Sequence, residues 1–293
     1  MTQNVDPSDY NVNAPIIPPG RAKSVRTLPN VTNSLVDTLE LNRRRLKASK
    51  LLAVFDRDGT LAPITDDPRQ AVVPREVRDL LARLAQARGV KAGVLSARSL
   101  RRLEGDFGGC NLILAGNYGL EIYIPGHEQF RHPQAERWRP LLVRARDSLA
   151  EGLGAQTGAI LEDHGFSLCL HWHLTPARMR GVVDGAVGSL ARDFPDLRVR
   201  CLPTSYEIWP PIDWDKSASL DEIKKICGLD DWLCLFAGDS EGDEPAFRWV
   251  NAQGGISIRV GEKGDSAATC RLQSQRQIVE LLRDLVALRR PDR

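Results

Sequence analysis

The spacing of apolar and polar positions changes character several times along the chain. Residues 1 to about 30 show no period. The stretch NVDPSDYNVNAPIIPPGR is rich in Pro, Asn and Asp, a composition that predicts a disordered or loosely docked tail. A short helical pattern follows around Leu35 to Leu46, and its basic run Arg43, Arg44, Arg45 and Lys47 reads as a solvated helix face. LLAVFD, residues 51–56, is a continuous apolar run that stops at an acid and a glycine-bearing loop, as expected of a strand buried on both faces. PREVRDLLARLAQARG carries apolar residues at helical spacing up to a glycine stop. VKAGVLSAR then reads as a second buried strand, SLRRLEGDFG as a short helix and LILAGN as a third strand. This alternation predicts βαβ units and a doubly wound sheet.

From Gly119 the pattern alternates instead. GLEIYIPG, GAILEDHGFSLCLHWH and LRVRCLPTSYEIWP place polar and apolar residues in turn, and two amphipathic helices, about 134–152 and 176–193, separate them. Strict alternation predicts an antiparallel sheet with helices on one side. The parallel pattern resumes with a helix in DKSASLDEIKKICG, a buried strand in WLCLFAGD, a helix in EPAFRWVNAQ, a strand in GGISIRVG and a closing helix in QRQIVELLRDLVALRR. The expected fold is α/β: a doubly wound parallel-sheet core in two pieces, 31–118 and 211–293, around an inserted α/β domain at 119–210.

Composition narrows the classes of function. A chain of 293 residues, 42% hydrophobic, can bury a full core. Its net charge is +2 and its arginines are dispersed, with no basic block or aromatic ladder, which argues against nucleic acid. Cys110, Cys169, Cys201, Cys227, Cys234 and Cys270 form no CxxC pair, so reduced thiols are expected rather than zinc or redox sites. No apolar run reaches membrane-span length, and no basic region precedes an apolar stretch at the N-terminus. A soluble, cytoplasmic protein without a membrane partner is expected.

Ligands of doubly wound sheets bind at the carboxyl ends of the strands. Three expected strands end there in polar signals: FDRDGT, VLSAR and FAGDSEGDE. Asp56 and Asp58, two apart, can direct both carboxylates into one pocket, with Gly59 allowing a sharp turn and Thr60 supplying a hydroxyl. Asp239 and Asp243 add two more acids, and their spacing is not that of a calcium loop. Four clustered carboxylates repel and need a divalent cation, and magnesium suits oxygen ligands shared with a substrate phosphate. Ser96 and Lys216 fit as phosphate ligands, although a serine after a strand is often a helix cap. Arg98 lies two residues beyond Ser96, within reach of the pocket or of solvent.

LAVFDRDGTL, VLSARS, DKSASL and FAGDSEGDEPAF, in this order, resemble the four motifs of the haloacid-dehalogenase superfamily. Within it, AGNYGLE, GDSEGDEPAF and LEDHGFSLCLHWH resemble segments of the trehalose-6-phosphate phosphatase branch, and the likeness covers roughly residues 50–265. The resemblance implies that Asp56 attacks phosphorus and forms an aspartyl-phosphate, while Asp58 protonates the leaving oxygen and then activates water. It implies Mg²⁺ held by Asp56, the backbone carbonyl of Asp58 and Asp239, supported by Asp243. Thr60, Ser96 and Lys216 would hold the phosphoryl group, and the insert would be a cap that closes over a sugar. Arg98, Glu121, Glu162, His171 and Glu207 would bind the sugar phosphate, and any trehalose-phosphate synthase partner would be a separate chain.

Several positions depart from that branch. His164 and His173 stand where the cap strand usually has Lys and Arg, and Trp209 stands where a basic residue is common. Tyr118 replaces His, Ser240 and Gly242 replace Asp and Thr, and Arg57 sits where an aromatic residue is usual. These changes leave the phosphoryl machinery intact and remove cations from the sugar-reading face. His171 and His173 lack a third ligand at suitable spacing, so they read as pocket-lining or packed histidines rather than a metal pair. Two alternatives stay open: a phosphatase of another sugar phosphate, such as a glycosyl-phosphoglycerate, and a non-catalytic sugar-phosphate binding module.

Overall fold

The computed structural model describes residues 35–261 and 264–289, so the expected tail at 1–30 lies outside the described residues. The first helix, α1 (Leu35–Ala48), buries Leu46 and leaves Arg43, Arg44, Arg45 and Lys47 exposed, the solvated face expected of that run.

The large sheet is built on β1 (Leu51–Phe55), all five residues of which are buried. It pairs in parallel with β2 (Val90–Leu95) on one side and β10 (Leu233–Gly238) on the other. Alternate side chains divide between two cores. Leu51, Ala53 and Phe55 pack with α2 (Arg75–Ala85), α3 (Leu100–Phe107) and α8 (Gln277–Leu288). Leu52 and Val54 pack with α6 (Lys216–Cys227) and α7 (Glu244–Ala252). Helices cover both faces, which is why β1 reads as an unbroken apolar run. Each large aliphatic side chain buried here contributes about 1.5–3 kcal/mol relative to exposure.

β3 (Ile113–Gly116), β11 (Ile256–Val260) and β12 (Cys270–Leu272) extend the parallel set, and β12, three residues long, has no counterpart in the expected elements. Beyond β3 come β4 (Glu121–Tyr123) and β5 (Phe130–Arg131), both antiparallel, giving the order β12-β11-β10-β1-β2-β3-β4-β5. This corrects the expected domain boundary. GLEIYIPG alternates because it lies near the sheet edge, with Ile122 and Ile124 buried in the large core and Tyr123 exposed, not because it opens the insert. The compact unit that interrupts the core is Pro133–Asp213 rather than 119–210.

That second unit has its own sheet, in the order β6-β7-β9-β8: β6 (Ile160–Asp163), β7 (Leu168–His171), β9 (Ser205–Trp209) and β8 (Arg198–Cys201), all antiparallel. Leu168, Leu170 and Ile208 pack on α4 (Ala135–Leu153) and α5 (Arg180–Asp193) through Leu142, Leu149, Val183, Val187 and Leu190. The alternate residues of each strand face away from those helices, as the sequence pattern expects. No described helix is long and apolar enough to cross a membrane.

Candidate active site

Parallel register places the strand ends that carry chemistry side by side. Phe55 pairs with Ala237, and the Asp56 amide donates to the Ala237 carbonyl at 2.8 Å, so Asp56 and Asp239 leave the sheet together. After Asp56 the chain turns tightly, with the amides of Leu61 and Ala62 both donating to the Arg57 carbonyl. Gly59 has φ +77°, and a Cβ there would stand 2.0 Å from Asp239 Oδ2. The glycine thus meets two demands: a left-handed turn, and close approach of the loop to an acid from another strand.

Asp56, Asp239 and Asp243 each offer a carboxylate oxygen, all within 4.8 Å of one another. Lys216, the first residue of α6, is buried among them, its Nζ donating at 2.6 Å to Asp56 Oδ1 and at 2.6 Å to Asp243 Oδ1. Asp243 is fully engaged, since its Oδ2 also accepts from the Asp239 amide, the Ser240 amide and the Ser240 hydroxyl. Asp239 Oδ1, by contrast, is buried without a hydrogen-bond partner.

Three carboxylates therefore face one ammonium. Burial raises Asp56 well above the usual carboxylate range; the Lys216 charge offsets only part of this, and Asp243 and Asp239 add to it. Burial and Asp243 push Asp239 up to about 7. Burial works against the Lys216 ammonium, yet Asp243 and Asp56 hold it charged. Residual negative charge, an orphaned oxygen and an all-oxygen donor set fit a hard divalent cation.

Asp58 is treated differently. Its side chain does not join the trio but is gripped by two guanidiniums. Arg57 Nη1 donates to Oδ1 at 2.6 Å, Arg98 Nε to Oδ2 at 3.0 Å and Arg98 Nη2 to Oδ1 at 3.2 Å. Burial opposes ionisation, but Arg98 and Arg57 outweigh it and hold the carboxyl below its usual range. Arg57 is wholly buried, and its remaining nitrogens donate to Asp106 Oδ2 at 2.8 Å and to the Ala71 carbonyl at 2.7 Å. Arg98, read as a substrate ligand, is thus directed at Asp58. The side chain of Asp58 stands apart from the acidic trio that could hold a metal ion, which leaves only its backbone carbonyl as a candidate for such a role.

Thr60 is fully buried and its hydroxyl has no partner, a free donor beside the Asp56 loop. Ser96, buried at the end of β2, accepts from the Arg98 amide at 3.2 Å. It is not a helix cap, because Ser99 takes that place on α3 by accepting from the Arg102 amide.

The other candidate sugar ligands fall in two places. Glu121 opens β4 in the large sheet, accepting from Asn117 Nδ2 at 3.1 Å. Glu162, His171 and Glu207 share the helix-free face of the small sheet: Glu162 pairs with Cys169 across the strands, and Cys169 with Glu207. His171 Nε2 and Glu162 Oε2 are 2.7 Å apart. The same row continues to Arg200, paired with Glu207, whose guanidinium lies 4.9 Å from the Trp209 ring centre. A cation thus returns to the face from which the sequence departures remove basic residues. Among the described residues the acidic trio is the one metal-competent cluster, and the His171 and His173 rings, 6.2 Å apart, form no part of one.

A family profile described as Trehalose-phosphatase matches residues 54–277. The chain belongs to the trehalose-phosphatase family. A rice (Oryza sativa subsp. japonica) protein described as probable trehalose-phosphate phosphatase 3 is 27% identical over 83% of this chain and 71% of its own. The C-terminal domain of a Candida albicans trehalose-6-phosphate phosphatase superposes with TM-score 0.69 at 20% identity, over 85% of this chain and 96% of that one. A haloacid dehalogenase-like hydrolase from Bacteroides thetaiotaomicron superposes with TM-score 0.55 at 16% identity, over 80% and 98% of the two chains. The fold is therefore haloacid-dehalogenase-like, and the family is one of phosphatases.

Within this member of the family the residues that the sequence does not reveal are the partners rather than the acids. Asp106 looks like one more polar position of an amphipathic helix, and nothing in the chain marks it as the anchor of Arg57. Arg200 is likewise ordinary until strand pairing sets it beside Glu207.

Proposed function

We propose that this phosphatase hydrolyses trehalose 6-phosphate to trehalose and phosphate, with Mg²⁺, through an aspartyl-phosphate on Asp56. The observation that carries this reading is the pairing of Asp56 with buried Lys216 beside the open Asp239 oxygen and the free Thr60 hydroxyl. Asp56 attacks phosphorus while the bond to the sugar oxygen breaks; Asp58, ionised in the free enzyme, takes up a proton from solvent as the phosphate dianion binds beside it and delivers that proton to the sugar oxygen. A water molecule then attacks the acyl-phosphate, Asp58 takes its proton, and phosphate leaves with Asp56 restored.

Lys216 orients Asp56 and offsets the charge of the substrate dianion. The Thr60 and Ser96 hydroxyls are donors for the equatorial phosphoryl oxygens. Asp56, Asp239 and the Asp58 carbonyl, with Asp243 in support, would hold Mg²⁺, which when bound would neutralise charge on the transferring group. We assign hydroxyl recognition to Glu121, Glu162, His171 and Glu207, joined by Arg200.

The test is release of trehalose and phosphate across a panel of sugar phosphates with Mg²⁺. Trehalose 6-phosphate should lead in kcat/KM. Another ester ahead by more than about tenfold, roughly 1.4 kcal/mol, would replace it as the substrate. Absence of turnover on every ester, p-nitrophenyl phosphate included, would make the protein a sugar-phosphate binder instead.

A further inference from the structure

Arg57 is a fully buried guanidinium lodged between two acids assigned to chemistry, and its three donor nitrogens engage three separate parts of the core unit. Nε meets Asp106 on α3, Nη2 meets the Ala71 carbonyl, and Nη1 meets Asp58, at 2.8, 2.7 and 2.6 Å. A planar fork fixed at three points cannot turn. Arg98 holds the other edge of the same carboxylate, so both Asp58 oxygens are fixed while its side chain keeps one-third of its surface open. No guanidinium clamps Asp56 or Asp239: Asp56 is held by the single Lys216 ammonium, Asp239 Oδ1 has no partner, and both stand with Asp243 within 4.8 Å of one another. An unrestrained carboxylate two residues from Asp56 would be drawn to a divalent cation bound by that trio.

We propose that Arg57 is a positioning residue: anchored by Asp106, it holds the Asp58 carboxyl out of the metal-binding trio and turned toward the leaving oxygen of the substrate. The proposal rests on the acid/base role given to Asp58 above. An apolar residue at position 57 removes one side of the clamp and leaves Asp106 without its closest partner. A lysine supplies charge to one acceptor but not to three.

The experiment compares single-turnover ester cleavage, with Mg²⁺, of trehalose 6-phosphate and p-nitrophenyl phosphate by wild type, Arg57→Leu, Arg57→Lys and Asp106→Asn. Nitrophenolate departs without a proton, whereas a sugar alkoxide needs one, so mispositioning Asp58 slows only the second. Arg57→Leu is expected to lower the sugar-to-nitrophenyl rate ratio about tenfold or more. Arg57→Lys should restore part of the ratio, and Asp106→Asn, which touches Arg57 but not Asp58, should move it the same way by less. Mg²⁺ titration followed by thermal shift should show an altered midpoint in Arg57→Leu, as Asp58 becomes available to the cation. If Arg57→Leu does not fold, the ratio in the other two variants decides. Equal loss on both substrates, or an unchanged ratio in all variants that fold, overturns the proposal and leaves Arg57 as a packing residue. Wild type inactive on both esters overturns the proposed function with it; active wild type with unchanged ratios overturns the Arg57 proposal alone.

Discussion

The acidic pocket at the edge of the large sheet and the helix-free face of the small sheet both consist of polar residues on strands, yet they are built on opposite terms. In the pocket, Asp56, Lys216 and Asp243 are almost completely buried, and Asp243 alone accepts four hydrogen bonds. On the small sheet, Glu162 and His171 remain partly exposed, and Arg200 rests on Trp209 without a carboxylate partner among the described residues. A buried charge must be paired or its group neutralised, so each pocket residue constrains the next. A partly solvated face imposes that condition less strictly, and its residues can change more independently. The phosphoryl machinery keeps its motif residues while the face assigned to the sugar departs from the family pattern.

The sharpest contrast should come from Asp56→Asn, which removes the proposed nucleophile. Phosphate release should fall by roughly 10⁴-fold or more, while the folded state, judged by circular dichroism, stays intact. Retained turnover would remove Asp56 from the chemistry. Lys216→Ala should come next: it leaves Asp56 and Asp243 buried without their cation, at a cost of about 3–5 kcal/mol in urea unfolding. The loss should be larger at pH 8 than at pH 5, where Asp56, raised by burial, can protonate, and equal losses would show that Asp56 and Lys216 are not held by charge. Glu207→Ala tests the other region. KM for the sugar phosphate should rise about tenfold, with p-nitrophenyl phosphate kinetics unchanged, the worth of one or two hydroxyl contacts. Equal damage to both substrates would mean that the small-sheet face does more than read a sugar.

The smallest effect is on pH dependence. Asp239 is pushed up from 3.8 to about 7. Between those values the folded protein keeps a proton that the unfolded chain has released. The stability linked to this group is therefore complete below about pH 4 and lost as pH rises through about 7. Metal-free protein should lose a few degrees of Tm between pH 5 and pH 8, and added Mg²⁺ should raise Tm more at pH 8 than at pH 5. A larger magnesium response at pH 5 would contradict the assignment of Asp239 as the open ligand.

Much of the fold was legible because the parallel core gives the plainest pattern a chain can carry. LLAVF and LCLFAG are apolar throughout since helices cover both their faces, and each ends at an acid where the sheet meets its ligand edge. GLEIYIPG was misplaced because alternation reports one covered face and not which sheet supplies it. Its strand β4 pairs antiparallel with β3, one strand in from the edge of the large sheet.

The sequence by itself determined the alternation of elements, the interruption of one core by a second unit, and the residues Asp56, Asp58, Asp239, Asp243 and Lys216. Each of these follows from short-range spacing of residue types. Only the tertiary structure decided how the acids divide, three around one lysine and the fourth between two arginines, with Asp106 behind them. Asp56 and Asp58 carry the same charge and sit two residues apart, so spacing cannot separate them. Apart from Arg57 itself, the partners that do, the Asp106 anchor of Arg57 included, come from 40 to 160 residues away in the chain, and burial makes those partners obligatory.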